Sequence, residues 1–396
     1  MALPRTLPRW LPFVVASVWL ALGWANLVRG AAHPGVPYRP WAFDHHSYSD
    51  LLAMAGDRYF HGGRPIPYLE DRIEYPPLLG LALWLPSFAP GGPAVYFTVG
   101  YAFLAACGFV AIALLARMGG ASPWWLAATP ALAYYGGLNW DLLPIALLLG
   151  SVVAFERGRH GAAGSLVALG ASAKLWPVSL VPPAVFALLR RRDLAGLWRG
   201  AWAAVAVFAA VNLPVAVAAL DGWSWFWRFN AARGAENSIW EILRLSPTLA
   251  PLAADAVFLD AVTAGLLAGA AAFAAWGAYR AGPGSGVRPV RLATAFVIVA
   301  WIGTSKVWSP QYALWACAAG ALAAAPGWLF VVHAVLASFD YHVAFETRAS
   351  RGLIHYLDAV YTAEEVLRFA GYALLGAWIA RELWRSARAS MRAEMV

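Results

Sequence analysis

The stretch Lys306-Val307-Trp308-Ser309-Pro310 joins two apolar segments, near residues 292–305 and 310–323. Two further apolar hairpins turn in a similar manner, at Leu138-Asn139-Trp140-Asp141 and at Lys174-Leu175-Trp176-Pro177. Each turn places a charged residue beside a tryptophan. Lysine and aspartate are costly to remove from water, so within a membrane protein such residues mark a functional site by default. The three turns predict a polar site at one face of a membrane protein.

The composition supports that class. The chain has 396 residues, of which 61% are hydrophobic and only 13% charged, and it contains 22 tryptophans. These values are typical of a protein that spans a membrane several times, with tryptophan enriched at the membrane–water boundary. The net charge of +8 does not indicate nucleic acid, because the basic residues lie in short loops where they orient the chain. Cys107 and Cys317 lie in apolar stretches and are predicted as core residues.

The apolar segments predict an all-α integral membrane protein of about twelve transmembrane helices, with both termini in the cytoplasm. Long spans are predicted at 11–29, 95–116, 198–219, 257–279 and 363–384. Shorter apolar pieces are predicted near 123–137, 142–155, 162–173, 175–189, 292–305, 310–323 and 327–338. Pieces of 12 to 16 residues reach only about 18–24 Å, so they favour short hairpin helices that stop inside the protein.

The distribution of charge orients these spans in the plasma membrane. Arginines such as Arg190, Arg191 and Arg192 collect on one side, which the positive-inside rule makes cytoplasmic. Loops 30–94, 220–247 and 339–362 are then outside, and residues 1–396 form a single membrane domain. Arg5 and Arg9 precede an apolar run, as in a signal peptide, but no small-residue cleavage site follows, so we predict a retained first helix.

The first outer loop, residues 30–94, carries the candidates for acid–base chemistry. Ser49 or Asp50 can cap a short helix that begins there, so Asp50 is either a cap or a catalytic base. His45 and His46 suggest a metal site with Asp44 or Asp50. Adjacent histidines point in different directions and no distant Cys or His completes a set, so a metal site is disfavoured.

The other candidates are polar residues that follow or interrupt apolar segments. Arg233, Glu236 and Asn237 form a dense polar cluster in the second outer loop. Lys174 and Lys306 each follow a short helix and precede a tryptophan and a proline, which favours binding of an anion over a mere surface anchor. If the short helices end below the membrane surface, Asp141 shares a cavity with the two lysines.

Several motifs stand in a fixed order along the chain. They are Gly63-x-x-x-Pro67-Tyr68, Glu74-Tyr75-Pro76-Pro77-Leu78, Asn139-Trp140-Asp141, Lys174-Leu175-Trp176-Pro177, Arg233-Gly234-x-Glu236-x-Ser238 and Lys306-Val307-Trp308-Ser309-Pro310-Gln311-Tyr312. This order resembles the polyprenol-phosphate-mannose-dependent mannosyltransferases, glycosyltransferase family 87 within the GT-C superfamily. The resemblance spans nearly the whole chain, and it implies a GT-C-type helix bundle.

The resemblance also implies a reaction. A sugar, mannose by analogy, would pass with inversion from a polyprenyl-phosphate donor to a glycolipid or glycan acceptor of the cell envelope, on the outer face, without a metal or other cofactor. An aspartate of the first outer loop acts as base in the family and maps to Asp50. Family members often have a tyrosine four residues later, where this chain has Met54, which leaves Asp44 open as an alternative base.

The remaining site residues follow from the same motifs. Lys174, Lys306 and Arg233 would hold the leaving phosphate, and the matching positions Tyr75, Gln311, Asp141, Glu236 and Asn237 would bind substrate. Two other functions stay open. One is a secondary transporter or a flippase of lipid-linked saccharides, because broken helices with polar turns also occur in transporters. The other is a non-catalytic subunit that binds lipid.

Overall fold

Helices dominate the part of the chain that the computed structural model describes, which is residues 8–33, 38–60, 63–281, 286–349 and 354–394. There the backbone forms α-helices, short 3₁₀ helices and isolated β-bridges. In chain order the α-helices are α1 (Leu11–Leu27), α2 (Tyr38–Asp44), α3 (Asp50–Tyr59), α4 (Pro77–Trp84), α5 (Gly92–Arg117), α6 (Trp124–Ala127), α7 (Ala131–Tyr135), α8 (Leu142–Glu156), α9 (His160–Ala173), α10 (Val181–Arg190), α11 (Leu194–Ala218), α12 (Leu220–Ala231), α13 (Ala250–Ala254), α14 (Ala256–Arg280), α15 (Arg288–Thr304), α16 (Tyr312–Ala323), α17 (Gly327–Ala349) and α18 (Ile354–Glu394). The 3₁₀ helices are Val28–Ala32, Leu85–Phe88, Trp176–Leu180 and Ile239–Leu245. Arg5, which helped to orient the chain, lies outside the described residues.

Among the described residues, five helical segments are long and apolar enough to cross a membrane. They are Leu11–Ala32, Gly92–Arg117, Leu194–Ala218, Ala256–Arg280 and Gly327–Thr347. The first four coincide with predicted long spans. The fifth predicted long span, 363–384, lies within α18 and is not among the five, whereas α17 is longer than its predicted piece 327–338. The segments confirm an all-α membrane protein, but these five do not confirm the predicted total of about twelve spans.

The predicted short hairpins are present and form the centre of the bundle. Helix α8 packs between α5 and α9, and α16 packs against α15. Every residue of α16 from Ala313 to Ala323 is buried. Helix α9 ends at Lys174, which adopts an extended conformation, and Pro177 follows in the next turn. Pro177 has no N–H with which to bond the Ala173 carbonyl oxygen, as a continued α9 would require, so the lysine lies just beyond the helix end.

The prediction that residues 339–362 form a loop is wrong for 339–349 and 354–362, which are helical. Helix α17 continues through Ala349 and α18 begins at Ile354. The polar residues that suggest a loop include Asp340, which is buried in the bundle. Arg368 Nη1 donates to Asp340 Oδ1 at 2.7 Å, and Tyr135 Oη donates to Asp340 Oδ2 at 2.6 Å. A paired and hydrogen-bonded aspartate can lie inside a helix bundle, although it lowers the hydropathy of the segment.

The 30–94 segment is folded against the bundle by close packing around Tyr68. The Tyr68 hydroxyl donates to the carbonyl oxygens of Tyr75 and Pro76, at 3.0 and 2.8 Å. A side chain at Gly80 would place Cβ 2.4 Å from that hydroxyl, and one at Gly222 would place Cβ 1.9 Å from the Tyr68 carbonyl oxygen. Both positions therefore require glycine. This packing fixes the Glu74-Tyr75 segment relative to α4 and α12.

Candidate functional site

Residues that are distant in sequence line one cavity of about 330 Å³. Its walls come from the Glu74-Tyr75 segment, the Lys174 turn, α12 with the following Arg233, the first turns of α14, and the Lys306 turn. Among the residues that line it are Tyr75, Lys174, Arg233, Lys306 and Gln311. These five were predicted from sequence motifs alone, and the fold brings them together.

Three stacked aromatic rings form one side of the cavity. The ring of Trp315 lies 3.8 Å from that of Tyr312 and 4.7 Å from that of Trp176, centroid to centroid. All three residues line the cavity. Flat apolar surface beside convergent charged groups is typical of a small-molecule site. The arrangement suits a ligand that has both an apolar or ring-shaped part and an anionic part.

Lys174 is held by a fully buried carboxylate. Its Nζ donates to both oxygens of Asp141, at 2.9 and 2.8 Å, and the Trp315 indole donates to Asp141 Oδ1 at 2.6 Å. The lysine also lies 5.5 Å from the centroid of the Tyr75 ring. The sequence expectation that Asp141 shares the cavity with the two lysines is only partly met. Lys174 lines the cavity, whereas Asp141 is fully buried, does not line it and positions the lysine.

Lys306 is paired with an acid that sequence reasoning did not single out. Its Nζ lies 2.7 Å from Asp260 Oδ1 on α14 and 3.3 Å from the carbonyl oxygen of Ala231. Asp260 lies within the apolar run 257–279, where a charged residue is costly, and that position was the available signal. The carboxylate lines the cavity together with Thr263.

Arg233 and the Lys306 turn are joined by main-chain hydrogen bonds. The Glu236 N–H donates to the carbonyl oxygen of Lys306 at 3.0 Å, and the Trp308 N–H donates to that of Glu236 at 2.9 Å. Arg233 Nε donates to the Glu236 carboxylate at 3.1 Å. This short bridge places the guanidinium of Arg233 beside the cavity. The two predicted cation sites are therefore parts of one rigid unit.

Asp50 is linked to the cavity through Asn139 and Tyr75. Its carboxylate accepts from the Tyr48 hydroxyl at 2.9 Å and from Asn139 Nδ2 at 2.7 Å, and Asn139 Nδ2 also lies 2.7 Å from the Tyr75 hydroxyl. Ser49, not Asp50, is the N-cap of α3, since the Ser49 side chain accepts from the Leu51 N–H. The interpretation of Asp50 as a cap therefore does not hold.

Burial raises the pKa of the Asp50 carboxyl above its usual value. The hydrogen bonds from Tyr48 and Asn139 and the charge of Lys174 act in the opposite direction, whereas the charge of Glu74 adds to the increase. A carboxylate whose protonated form is favoured is a stronger proton acceptor once it is ionised. This environment is suited to a general base.

The other predicted residues lie elsewhere. Asp44 is exposed at the end of α2 and does not line the cavity. Asn237 faces α18, where its Oδ1 accepts from the Tyr361 hydroxyl. Next to Asp44, His45 stacks on Trp41 with ring centroids 4.4 Å apart. Within the part of the chain that the structure describes, no group of three His, Cys, Asp or Glu side chains is placed to hold a metal ion.

Two groups of site residues were missed. Glu74 lines the cavity, although from sequence it stands out only as part of a motif. Behind the Lys306 turn, the guanidinium of Arg368 lies 3.6 Å from the centroid of the Trp308 ring and contacts Asp340 and Glu364. Charged residues such as Arg368 stand out in the predicted span 363–384, but one sequence does not show which residues of other segments pair with them.

Comparison with known proteins identifies the family of this chain. The model of glycosyltransferase family 87 matches residues 74–310, which is more than half of the chain. The matched range includes Lys174, Arg233 and Lys306 and begins after Asp50. No curated protein and no solved structure matches the chain. With its apolar spanning helices, its cavity of convergent cations and this match, the chain is a membrane glycosyltransferase that belongs to glycosyltransferase family 87.

Proposed function

We propose that the protein transfers a sugar, mannose in the first instance, from a polyprenyl-phosphate donor to a glycolipid or glycan acceptor on the outer face of the membrane. The observation that carries the proposal is the convergence of Lys174, Arg233 and Lys306 on one cavity beside apolar aromatic rings. A polyprenyl-phosphate sugar combines these features, since it has an anionic phosphodiester between a sugar ring and an apolar chain. Charge-assisted contacts from lysine and arginine suit its phosphate.

One helix that lines the cavity offers a path for the polyprenyl chain. Helix α14 is apolar, and its most apolar stretch is only 6% buried inside the protein. The same helix contributes Asp260 and Thr263 to the cavity wall. A lipid chain that lies against α14 would therefore bring its phosphate to Lys306.

The chemistry is a single displacement at the anomeric carbon. Asp50 takes the proton from an acceptor hydroxyl, and the acceptor oxygen forms a bond to that carbon as its bond to the phosphate oxygen breaks. The products are the glycosylated acceptor, with inverted configuration, and polyprenyl phosphate. Negative charge grows on the leaving phosphate, and Lys306, Lys174 and Arg233 stabilise it.

The role of Asp50 depends on its link through Asn139 to Tyr75 at the cavity wall. A base must come within about 2.6–3.2 Å of the proton that it accepts, directly or through one water. In this proposal the acceptor enters between Asp50 and the cavity, and both termini of the chain lie in the cytoplasm.

The test is a donor-consumption assay with the purified protein in lipid nanodiscs. A panel of polyprenyl-phosphate sugars, with mannose and arabinofuranose among them, is incubated with a crude glycolipid fraction. Release of polyprenyl phosphate together with a glycosylated lipid supports the proposal. Movement of intact lipid-linked saccharide between leaflets without consumption of donor would support a flippase instead.

A further inference from the structure

The two lysines of the cavity are neutralised by carboxylates that differ in burial. Asp141 is fully buried, binds Lys174 through both oxygens, and accepts a third hydrogen bond from Trp315. Asp260 binds Lys306 through one oxygen, and its side chain is 49% exposed while that of Lys306 is 10% exposed. The first pair is part of the core, whereas the carboxylate of the second pair is half-exposed in the cavity wall.

This difference decides which pair can open. Separating a buried ion pair leaves an uncompensated buried charge, so Lys174 and Asp141 stay together. In the second pair the carboxylate is half-exposed, so it loses less on separation than the fully buried Asp141 would, and an incoming anion can take its place on Lys306. Lys306 is held among buried residues, but Asp260 can rotate into water and leave the lysine for another anion.

A purely structural role, such as stabilising the start of α14, does not explain why Asp260 is present. An acid near the start of a helix can favour the helix dipole, and Asp260 lies in the second turn of α14. However, Asp255 already caps this helix, because its carboxylate accepts from the N–H groups of Val257 and Phe258 at 3.0 Å each. The dipole effect also declines beyond the first turn. Asp260 therefore needs another reason to lie in an apolar segment.

We propose that Asp260 is an exchangeable counter-ion of Lys306, which neutralises the lysine in the empty site, yields to the donor phosphate, and competes with the leaving polyprenyl phosphate during release. The inference rests on the function proposed above. A donor phosphodiester carries one negative charge, whereas the monoester product carries up to two at neutral pH. Asp260 therefore repels the product more strongly than the donor and favours its departure.

The experiment measures phosphate affinity with the full-length protein in lipid nanodiscs. Decaprenyl phosphate, a monoester like the product, is titrated into wild type, Asp260→Asn, Lys306→Met and the double variant. We expect Asp260→Asn to tighten binding roughly three- to tenfold, because a competing anion is removed while the shape is kept. Lys306→Met should weaken binding, and Asp260→Asn should tighten binding less in the Lys306→Met background than in wild type, because no lysine is left for Asp260 to occupy. A folding defect would not raise affinity.

Asp221→Asn is the matched control. Asp221 is also a paired carboxylate, with a side chain 58% exposed, but its partners are Arg72 and Arg228. It does not line the cavity. The control removes the same charge, and we expect unchanged affinity. Equal tightening in Asp221→Asn would show a general surface-charge effect and overturn the inference.

The remaining outcomes separate the inference from the proposed function. If wild type binds decaprenyl phosphate and Lys306→Met weakens it, the phosphate site stands. Unchanged or weaker binding by Asp260→Asn would then overturn the role of Asp260 alone. If neither wild type nor Asp260→Asn binds the probe, the polyprenyl-phosphate site is wrong, and the counter-ion role falls with it.

Discussion

Asp50 and Asn139 are joined by a hydrogen bond of 2.7 Å although 89 residues separate them in the chain. A second contact reinforces this link, because the Asp50 N–H donates to the carbonyl oxygen of Leu138 at 2.8 Å. The carboxylate that begins α3 is thereby fixed against the turn that begins α8. The 30–94 segment and the bundle consequently meet at the position where we place the base.

We expect Asp50→Asn to bind donor but to lose about a hundred- to ten-thousandfold in turnover, because it removes a general base. Asparagine keeps one oxygen that accepts from Asn139, and its amide can donate to the Tyr48 hydroxyl oxygen. Donor consumption and donor binding are measured side by side. Asp44→Asn is the control, and we expect near-normal turnover from it. Loss of turnover in Asp44→Asn with normal rates in Asp50→Asn would move the base to Asp44.

The same substitution should not destabilise the fold. Burial raises the folded-state pKa of Asp50, so its contribution to stability is present below the unfolded pKa and is lost as the pH rises through the folded pKa. Above that folded-state pKa the ionised carboxylate therefore costs stability that asparagine does not. Thermal unfolding in detergent should show Asp50→Asn melting no lower than wild type, with its advantage growing as the pH is raised. A marked drop in melting temperature would mean that Asp50 is structural.

The proposed orientation can be tested by labelling with an impermeant thiol reagent in intact cells. Thr248 and Ala195 are exposed, whereas Cys107 and Cys317 are buried and are free thiols. On a background in which both native cysteines are replaced by alanine, we expect Thr248→Cys to react and Ala195→Cys to react only after the cells are permeabilised. The opposite pattern would place the site in the cytoplasm and would contradict the orientation that the positive-inside rule predicts.

Much of the site was predictable because its signals are local. Pro177 and Pro310 each lie a few residues beyond a helix end, at Ala173 and Thr304, and proline disfavours continuation of a helix, so the Lys174 and Lys306 turns can be located from the sequence. Ser49 is an N-cap by its chemistry, and the start of α3 follows. By contrast, the pairing of Asp260 with Lys306 and of Asp340 with Arg368 depends on tertiary contacts. A single sequence shows such residues as isolated charges, and for Asp340 this suggests a loop where the structure has a helix.

Arg368 should be essential for stability. It contacts Asp340 and Glu364, donates to the Asn237 carbonyl oxygen at 3.2 Å and covers the face of Trp308. Arg368→Met would leave two buried carboxylates without a cation, which costs on the order of 3–5 kcal/mol. We expect a large drop in the thermal unfolding midpoint in detergent.

Arg385→Met on the same helix is the control for Arg368. Arg385 is exposed and pairs with Glu382 at 3.1 Å, and an exposed pair contributes about 0–1 kcal/mol. Its unfolding midpoint should stay close to that of wild type. Restoration of stability when Asp340→Asn is added to Arg368→Met would confirm that the unpaired charge causes the loss. If both arginine variants unfold like wild type, the buried network does not hold the Lys306 turn in place.

A substitution at Glu74 distinguishes Asp50 from Glu74 as the general base. It lines the cavity directly, and its charge raises the pKa of Asp50. If Asp50 is the base, Glu74→Gln removes a like charge, lowers the pKa of Asp50 and shifts the acidic limb of kcat/KM to lower pH. We expect an active enzyme with a displaced limb, measured as donor consumption across the acidic range.

The matched variant for that measurement is Glu70→Gln, which neutralises another glutamate of the same segment. Glu70 accepts from the Ile66 N–H, is exposed, and does not line the cavity. Its pH profile should coincide with that of wild type. Complete loss of turnover in Glu74→Gln at every pH, with donor binding retained, would instead identify Glu74 as the base and leave Asp50 to position Asn139 and Tyr75. A shift of the acidic limb of kcat/KM in Glu74→Gln, with turnover retained, would show that the base is a residue other than Glu74 whose pKa depends on the charge of Glu74.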